Sequence, residues 1–397
     1  MLETRIAKEL AYISQAGLAR RITELYFVNP AQAQDRTGKT YLVLASNNYL
    51  GFTHAPEVIE AASRAALKFG TGSSGSRLTT GGTFIASELE KRLADFKHSE
   101  SALVFNTGYM TNLGVLYGLV QTGDVVFSDE LNHASIIDGC RISRCKVVVY
   151  KHNDMADLQR LLETEIVTGQ RFIVTDGVFS MDGDIADLPS LAVLKKQFNA
   201  CLIVDDAHGV GVIGNDGSGT ASHYGLTDVI DLQVGTLSKA LAAEGGYVAG
   251  KKILIDYIIN RSRPFIFSTA LAPATLAAAN AALLLLQTQA SKYLDSLRAN
   301  SRLMRRLLLE GGLNVVEGIT PIIPVVIGEA GLTMQFADRL KSKGILVSGI
   351  RPPTVPRGES RLRITVTAAH CEEQLRQAAQ IITALWQELK HGEKKEG

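Results

Sequence analysis

Cys201-Leu-Ile-Val-Asp205-Asp206-Ala-His208-Gly209 and, about thirty residues on, Val234-Gly-Thr236-Leu-Ser238-Lys239-Ala240 decide how this chain reads. In each, an apolar run stops abruptly at polar residues: Asp-x-x-His in the first, Thr-x-x-Lys in the second. Short runs that are apolar on both faces mark buried parallel strands, and open α/β sheets place ligands beyond the C-terminal ends of such strands. The flanking sequence repeats the pattern. Apolar runs at Ala102–Phe105, Val125–Ser128, Lys146–Tyr150, Phe172–Thr175, Leu202–Val204, Leu232–Thr236 and Gly246–Ala249 alternate with helical patterns at 56–68, 84–97, 109–120, 154–165 and 187–197. The prediction for residues 46–270 is one large α/β domain, a mostly parallel sheet flanked by helices.

The pattern changes beyond residue 270. Long helices at about 272–289 and 291–311 lead to strands Ile322–Ile327, Ile345–Val347 and Leu362–Val366, then to a closing helix near 372–390. Residues 271–397 therefore read as a smaller α+β domain with an antiparallel sheet. Residues 1–45 read as a helical segment: helical periodicity over 3–16, then a turn-rich stretch from Asn29 to Lys39. The polar tail from His391 to Gly397 is expected to fray.

Composition narrows the function. Hydrophobic residues are 46% and charged residues 20%, enough for a large core. A net charge of +1 argues against nucleic-acid or anionic-membrane partners held by bulk charge. Met1 to Leu10 shows no signal-peptide apolar region. The most apolar stretch, Ala270 to Leu286, contains Pro273 and Asn280 and reads as a buried helix more than a membrane span. A soluble cytoplasmic protein is the expectation by elimination. Cys140, Cys145, Cys201 and Cys371 lack zinc-type spacing, so reduced thiols are expected and no metal. Gly70-Thr-Gly72-Ser-Ser-Gly75 matches the dinucleotide fingerprint letter for letter. A helical pattern, Val58 to Phe69, precedes it where the fingerprint needs a strand. It reads as a flexible loop, or as one that lets backbone approach a substrate.

An acid, a histidine and a lysine at one sheet edge suit a cofactor with a pyridine ring, a phenol oxygen and an aldehyde. Pyridoxal phosphate has all three. Asp205 ends a buried strand, where a carboxylate is costly unless paired; its partner is either a protonated pyridine nitrogen or His208 in a structural pair. Asp206 should point the opposite way, because strand side chains alternate. His208 is then placed for the phenol oxygen. Lys239, in cationic company and followed by small residues, suits a nucleophile and base of depressed pKa. Asn106-Thr-Gly108-Tyr109 follows a strand and opens a helix, an anion site suited to phosphate, with Thr236 as a second ligand. His133 either stacks on an aromatic cofactor or caps a helix. Arg363 alternates with apolar neighbours and is either a carboxylate clamp or a surface arginine.

The combination resembles the fold-type I, aspartate-aminotransferase-like pyridoxal-phosphate enzymes, and within them the α-oxoamine synthases. The resemblance spans nearly the whole chain. It rests on Ser46-Asn47-Asn48-Tyr49-Leu50-Gly51, Ser128 to Ser135, Thr175 to Asp184, Val204 to Gly209 and Gly235 to Lys239. It implies condensation of an amino acid with an acyl thioester and loss of carbon dioxide. Gly72 to Gly81 and Ile350 to Pro356 favour L-alanine and a pimeloyl thioester, on coenzyme A or acyl carrier protein, over glycine and acetyl-CoA. The resemblance also implies site roles. Lys239 holds the cofactor covalently, Asp205 pairs with the ring nitrogen, His208 and Ser180 sit at the phenol oxygen, and His133 stacks. Gly108, Tyr109 and Thr236 hold the phosphate, completed by Ser268 and Thr269 across a homodimer. Asn47 and Arg363 take the amino acid, and Arg20, beside Arg21, takes the acyl group with Thr354. One departure is Ala240 to Glu244, where many relatives carry more glycine.

Overall fold

The computed structural model describes residues 1–15, 18–20 and 22–393. The chain begins with α1 (Leu2–Gln15), β1 (Tyr26–Asn29), β2 (Gln32–Gln34) and β3 (Thr40–Val43), then α2 (Pro56–Phe69) and α3 (Phe84–Phe96). Strands and helices then alternate: β4 (Ser101–Phe105), α4 (Gly108–Leu119), β5 (Val125–Asp129), α5 (Ala134–Ser143), β6 (Lys146–Tyr150) and α6 (Met155–Thr164). β7 (Arg171–Asp176), α7 (Leu188–Gln197), β8 (Ala200–Asp205), α8 (Thr220–His223), β9 (Leu232–Thr236) and β10 (Gly246–Gly250) follow. α9 (Lys252–Arg261), α10 (Arg263–Ile266) and α11 (Pro273–Glu310) lead to β11 (Ile322–Gly328), α12 (Ala330–Ser342), β12 (Ile345–Leu346), β13 (Ser348–Ile350), β14 (Ser360–Thr365) and α13 (Glu372–Glu393).

The central sheet has seven strands in the order β4-β10-β9-β8-β7-β5-β6. β9, β8, β7, β5 and β6 are mutually parallel, and β10 runs antiparallel between β4 and β9. Alternation explains why these strands read as continuous apolar runs. Val126, Phe172, Val174, Ile203 and Val234 pack on one face with Leu116 of α4 and Ile258 of α9. Val125, Phe127, Ile173, Leu202 and Val204 pack on the other with Leu158 of α6 and Leu191 of α7. Both faces are covered, so each strand needs apolar residues at every position.

The C-terminal half has its own core. β11, β14 and β13 form an antiparallel sheet. α13 lays Leu375, Ala378, Ala379, Ile382, Leu385, Trp386 and Leu389 against it, the spacing of one helix face. Trp386 stacks on Phe336 of α12 with ring centroids 5.6 Å apart. α11 bridges the two halves. Leu276, Ala279, Leu283 and Leu286 join the core with α3, while Met304 and Leu308 join the C-terminal core. Sequence predicts two helices here, about 272–289 and 291–311, and within Pro273–Glu310 two helical stretches meet at a kink where Gln289 leaves helical geometry.

Three expectations need correction. The segment before residue 45, predicted as helical and turn-rich, contains β1, β2 and β3. They form a four-stranded sheet with β12, which pairs parallel to β3, Ile345 opposite Leu42. β2 buries only Ala33 and β3 only Tyr41 and Val43, too few residues for a visible period of two. The strand expected at Ile345–Val347 is two strands, β12 and β13, that enter different sheets. The tail predicted to fray instead continues α13 to Glu393, and residues 394–397 lie outside the described residues.

Asp206 follows the site strand β8 and points away from Asp205, as strand alternation predicts. Lys97, at the end of α3, donates to its Oδ2 at 3.1 Å and to the Ser218 carbonyl, and both charged side chains are buried. Thr220 donates its hydroxyl to Asp206 Oδ1 at 2.9 Å. Breaking a buried ion pair from one side costs about 3–5 kcal/mol. Lys97→Met removes the charge but keeps the bulk, so its unfolding free energy, measured by urea titration, should fall by an amount in that range. An unchanged free energy would contradict a stabilising pair.

Candidate active site

The C-terminal ends of β4, β5, β7, β8 and β9 open on one edge of the sheet, each followed by residues the sequence singled out. Asp205 ends β8, buried. Asn112 of α4 donates to its Oδ2 at 2.6 Å, and the Ala207 amide donates to Oδ1 at 3.0 Å. Asp176 ends β7 directly opposite Asp205. Burial, reinforced by the Asp205 charge, pushes Asp176 well above the usual carboxylate range. Asp176 Oδ2 accepts the His133 amide at 2.9 Å.

That bond fixes the start of α5, where His133 is the N-cap residue. His133 Nδ1 lies 2.7 Å from the Ser135 hydroxyl. The ring stays open to the cleft, edge-on to Tyr109 at 6.3 Å between centroids. The protein around it withholds enough water to lower its pKa; Asp205 pulls it up and Lys239 pushes it further down. Capping and an exposed ring face thus occur together at this residue.

His208 is buried, with Nδ1 2.7 Å from the Tyr49 hydroxyl. Burial, then the charges of Lys239 and Arg363, hold its pKa well below the ordinary value. Lys239, three residues past β9, is half-buried. Burial lowers it to about 8 against the pull of Asp205 and Asp176, and Arg363 helps to lower it. Arg363 lies on β14, buried, with Nε donating to the Ser180 carbonyl and Nη2 to Asn47 Oδ1 at 3.1 Å. Its neighbour two residues back, Arg361, is held by Asp182 and Glu359. Among the described residues Arg363 has only neutral partners, so of the two it is the cation free to meet a carboxylate.

The phosphate region lies at the start of α4. Thr107 caps the helix, accepting the Met110 amide at 3.0 Å, which leaves the first amides at Gly108 and Tyr109 without intrahelical acceptors. A Cβ on Gly246 would lie 2.6 Å from the Gly108 amide nitrogen, and one on Gly108 would crowd Thr236 at 3.3 Å. Glycine is what lets β9, β10 and α4 close around this corner. The Thr236 hydroxyl donates to the Gly245 carbonyl at 2.9 Å and lies 2.7 Å from Ser238 Oγ, an exposed hydroxyl the sequence reading passed over. Asn106 donates to the Thr269 carbonyl at 2.8 Å, bringing the Ser268–Thr269 segment to the same corner.

The acyl residues lie apart from the strand ends. Arg20 and Thr354 are exposed, and Arg21 lies outside the described residues. Arg351 Nη2 reaches the Ala19 carbonyl at 3.5 Å, so the two segments adjoin. A groove of about 1020 Å³ lined by Tyr12, Leu18, Met334, Arg351 and Pro353 runs beside them. Gly70 to Gly75 follows α2 as a loop, not a strand–helix corner. Residues missed by sequence reading include Asp176, Asn112 and Tyr49. Asp176 had a signal, an acid ending an apolar run, as Asp205 does; Asn112 and Tyr49 had none beyond lying in quoted segments.

The aminotransferase class I and II family model matches residues 39–382. The 8-amino-7-oxononanoate synthase of Lysinibacillus sphaericus is 47% identical over 374 residues, 94% of this chain and 96% of that relative. The protein of the same name from Trichlorobacter lovleyi is 49% identical over 385 residues, 97% of this chain and 98% of the relative. A solved serine palmitoyltransferase carrying pyridoxal phosphate as its internal aldimine superposes with a TM-score of 0.92 at 31% identity, covering 97% of each chain.

The loop that carries Ser180 is clamped by a second histidine. His152 holds Asp129 at 3.0 Å through Nδ1 and Asp184 at 2.9 Å through Nε2, with its ring edge-on to Phe179. Burial alone would lower its pKa, but the two carboxylates override it and raise it from 6.5 to about 10. A pKa raised by folding gives stability that is complete below the unfolded value and lost as pH climbs through the folded one. This contribution should be whole below pH 6.5 and gone near 10. His152→Gln should flatten unfolding free energy against pH over that window, measured by urea titration at a series of pH values. A slope unchanged from the parent would count against the clamp.

Proposed function

We propose that this chain, which belongs to the aminotransferase class I and II family, condenses L-alanine with a pimeloyl thioester. The products are 8-amino-7-oxononanoate, carbon dioxide and the free thiol, a step of biotin synthesis. The observation that carries the reading is the meeting of Asp205, Lys239 and Arg363 at one sheet edge, with Arg363 free of carboxylate partners. The relatives named above are 8-amino-7-oxononanoate synthases, so glycine with acetyl-CoA is not favoured.

Pyridoxal phosphate fits the residues present. The glycine-lined corner at Gly108 and Gly246 leaves room and open amides for a phosphate, with Thr236 beside it. The Asp205 carboxylate, already oriented by Asn112, suits a protonated ring nitrogen. When bound, the cofactor supplies an electron sink for the amino acid's Cα. Lys239 would hold it covalently, and its amine, when free, would take the Cα proton; an amine whose pKa is about 8 is a competent base at neutral pH. Asp205 keeps the ring nitrogen protonated, His208 and Ser180 address the phenol oxygen, and the open face of His133 stacks on the ring. Arg363, steadied by Asn47, takes the alanine carboxylate in bidentate fashion. Arg20 and Thr354 take the acyl group along the adjoining groove.

A homodimer belongs to this reading, with Ser268 and Thr269 of the partner subunit completing the phosphate site. The exposure of Phe84 and Phe267, at 95% and 69%, supports a covered surface there. The free thiols of Cys140, Cys145, Cys201 and Cys371 suit a cytoplasmic setting.

Lys239→Ala should abolish both turnover and the borohydride-trapped lysine adduct. A variant that keeps the adduct and normal activity removes Lys239 from the mechanism. Alanine and glycine assayed against acetyl and pimeloyl thioesters, reading free thiol and carbon dioxide, should favour alanine with pimeloyl. Preference for glycine with acetyl-CoA overturns the proposal. Asp205→Ala should slow exchange of the alanine Cα proton by at least about tenfold, as loss of one charged partner implies; an unchanged exchange rate contradicts its role.

A further inference from the structure

We propose that Tyr49 is a positioning residue that sets the tautomer of His208: its phenol donates to Nδ1 and leaves the ring's single proton on Nε2, the nitrogen turned away from Tyr49. Tyr49 is completely buried and lies in none of the roles described above. Its hydroxyl has one proton and two acceptors in reach, His208 Nδ1 at 2.7 Å and Asn47 Oδ1 at 3.2 Å. Asn47 Oδ1 is already served by a charged donor, Arg363 Nη2, at 3.1 Å. The shorter contact, and the acceptor with no other donor among the described residues, is Nδ1.

Chemistry favours the same direction. A phenol is a far stronger acid than the N–H of a neutral imidazole, so phenol to ring nitrogen is the better hydrogen bond. Both groups stay neutral where they sit. Burial raises the Tyr49 phenol, and burial with the charges of Lys239, Arg363 and His133 lowers His208. With both neutral, the tautomer is the one variable left, and the partner of Nδ1 decides it.

The position of Tyr49 is itself fixed. The Ala368 amide donates to its carbonyl at 2.7 Å. Gly51, two residues on, sits at φ +76°, and a Cβ there would lie 2.9 Å from Ala369 Cβ, so only glycine closes this turn. The phenol is thereby held between Asn47 and His208, and Arg363 donates to the Asn47 oxygen that would otherwise compete for the phenol proton.

The consequence rests on the proposed function. Nε2–H is a donor, and a donor is what an anionic phenol oxygen needs. The opposite tautomer would present a lone pair and repel that oxygen. Losing the donor disfavours the anion and raises the pH at which the bound cofactor's visible absorbance titrates.

Nitrogen-15 NMR of the histidine-labelled chain, with and without pyridoxal phosphate, tests this, the His208 signals being assigned with His208→Gln. The expected result is a protonated Nε2 and a bare Nδ1 in the parent. In Tyr49→Phe, with circular dichroism unchanged, Nδ1–H should become populated and the absorbance midpoint of the holoenzyme should move to higher pH. A protonated Nδ1 in the parent, or tautomer signals unchanged in Tyr49→Phe, overturns the inference. If Tyr49→Phe fails to fold, the parent spectrum alone decides. A tautomer that shifts while the absorbance midpoint stays put upholds the role of Tyr49 and counts instead against placing His208 at the phenol oxygen.

Discussion

A carboxylate at the end of a buried strand is the constraint from which the rest of the site follows. Asp205 caps a strand whose preceding residues bury apolar side chains on both faces, so its charge has no easy access to water. The protein answers with Asn112 and the Ala207 amide, and the facing Asp176 is pushed above the usual carboxylate range by burial and by the Asp205 charge. Each answer constrains another element. Asn112 ties Asp205 to α4, whose first turn forms the anion corner. Asp176 ties β7 to the His133 amide and so sets the start of α5. One buried charge thereby places the open amides of α4 and the exposed ring of His133 relative to each other.

Asp205 and Asp206 show how much a period of two can do. Adjacent in sequence, they serve opposite faces. Asp205 points toward α4 and the site, and Asp206 points toward Lys97 and Thr220. A one-residue slip of β8 would exchange them, placing a carboxylate against Asn112 that lacks the Lys97 support and stranding Lys97. The structural ion pair therefore also locks the register on which the functional acid depends.

Sequence makes such strand-end residues legible because the transition from apolar run to polar residue is sharp. Asp205, His208, Thr236 and Lys239 all lie within four residues of such a transition. Residues whose role depends on a partner distant in the chain leave no such mark. Tyr49 meets His208 across 159 positions and Asn47 meets Arg363 across 316. The N-terminal strands were hidden for a different reason: β1 buries no side chain, β2 one and β3 two, and β12, the partner of β3, is some three hundred residues away.

Burial first, and then the charges of the site, lower the proton affinity of its two histidines. Lys239 and Arg363 are cations in a confined cleft, and each opposes a further positive charge on His208, while Lys239 does the same at His133 against the pull of Asp205. On the proposed reading, a cationic imidazole over the ring would oppose the proton that Asp205 would retain. A neutral one offers its π face without that cost. At His208 neutrality makes the ring a donor on one side and an acceptor on the other, so direction matters as much as charge. Lys239 completes the balance. Its own lowered pKa comes from burial and from Arg363, so on the proposed reading the cation that would receive a substrate carboxylate also helps to ready the base beside it. When a carboxylate meets Arg363 that assistance is neutralised. The substrate's arrival should therefore raise the proton affinity of Lys239 at the moment it is called on to take a proton.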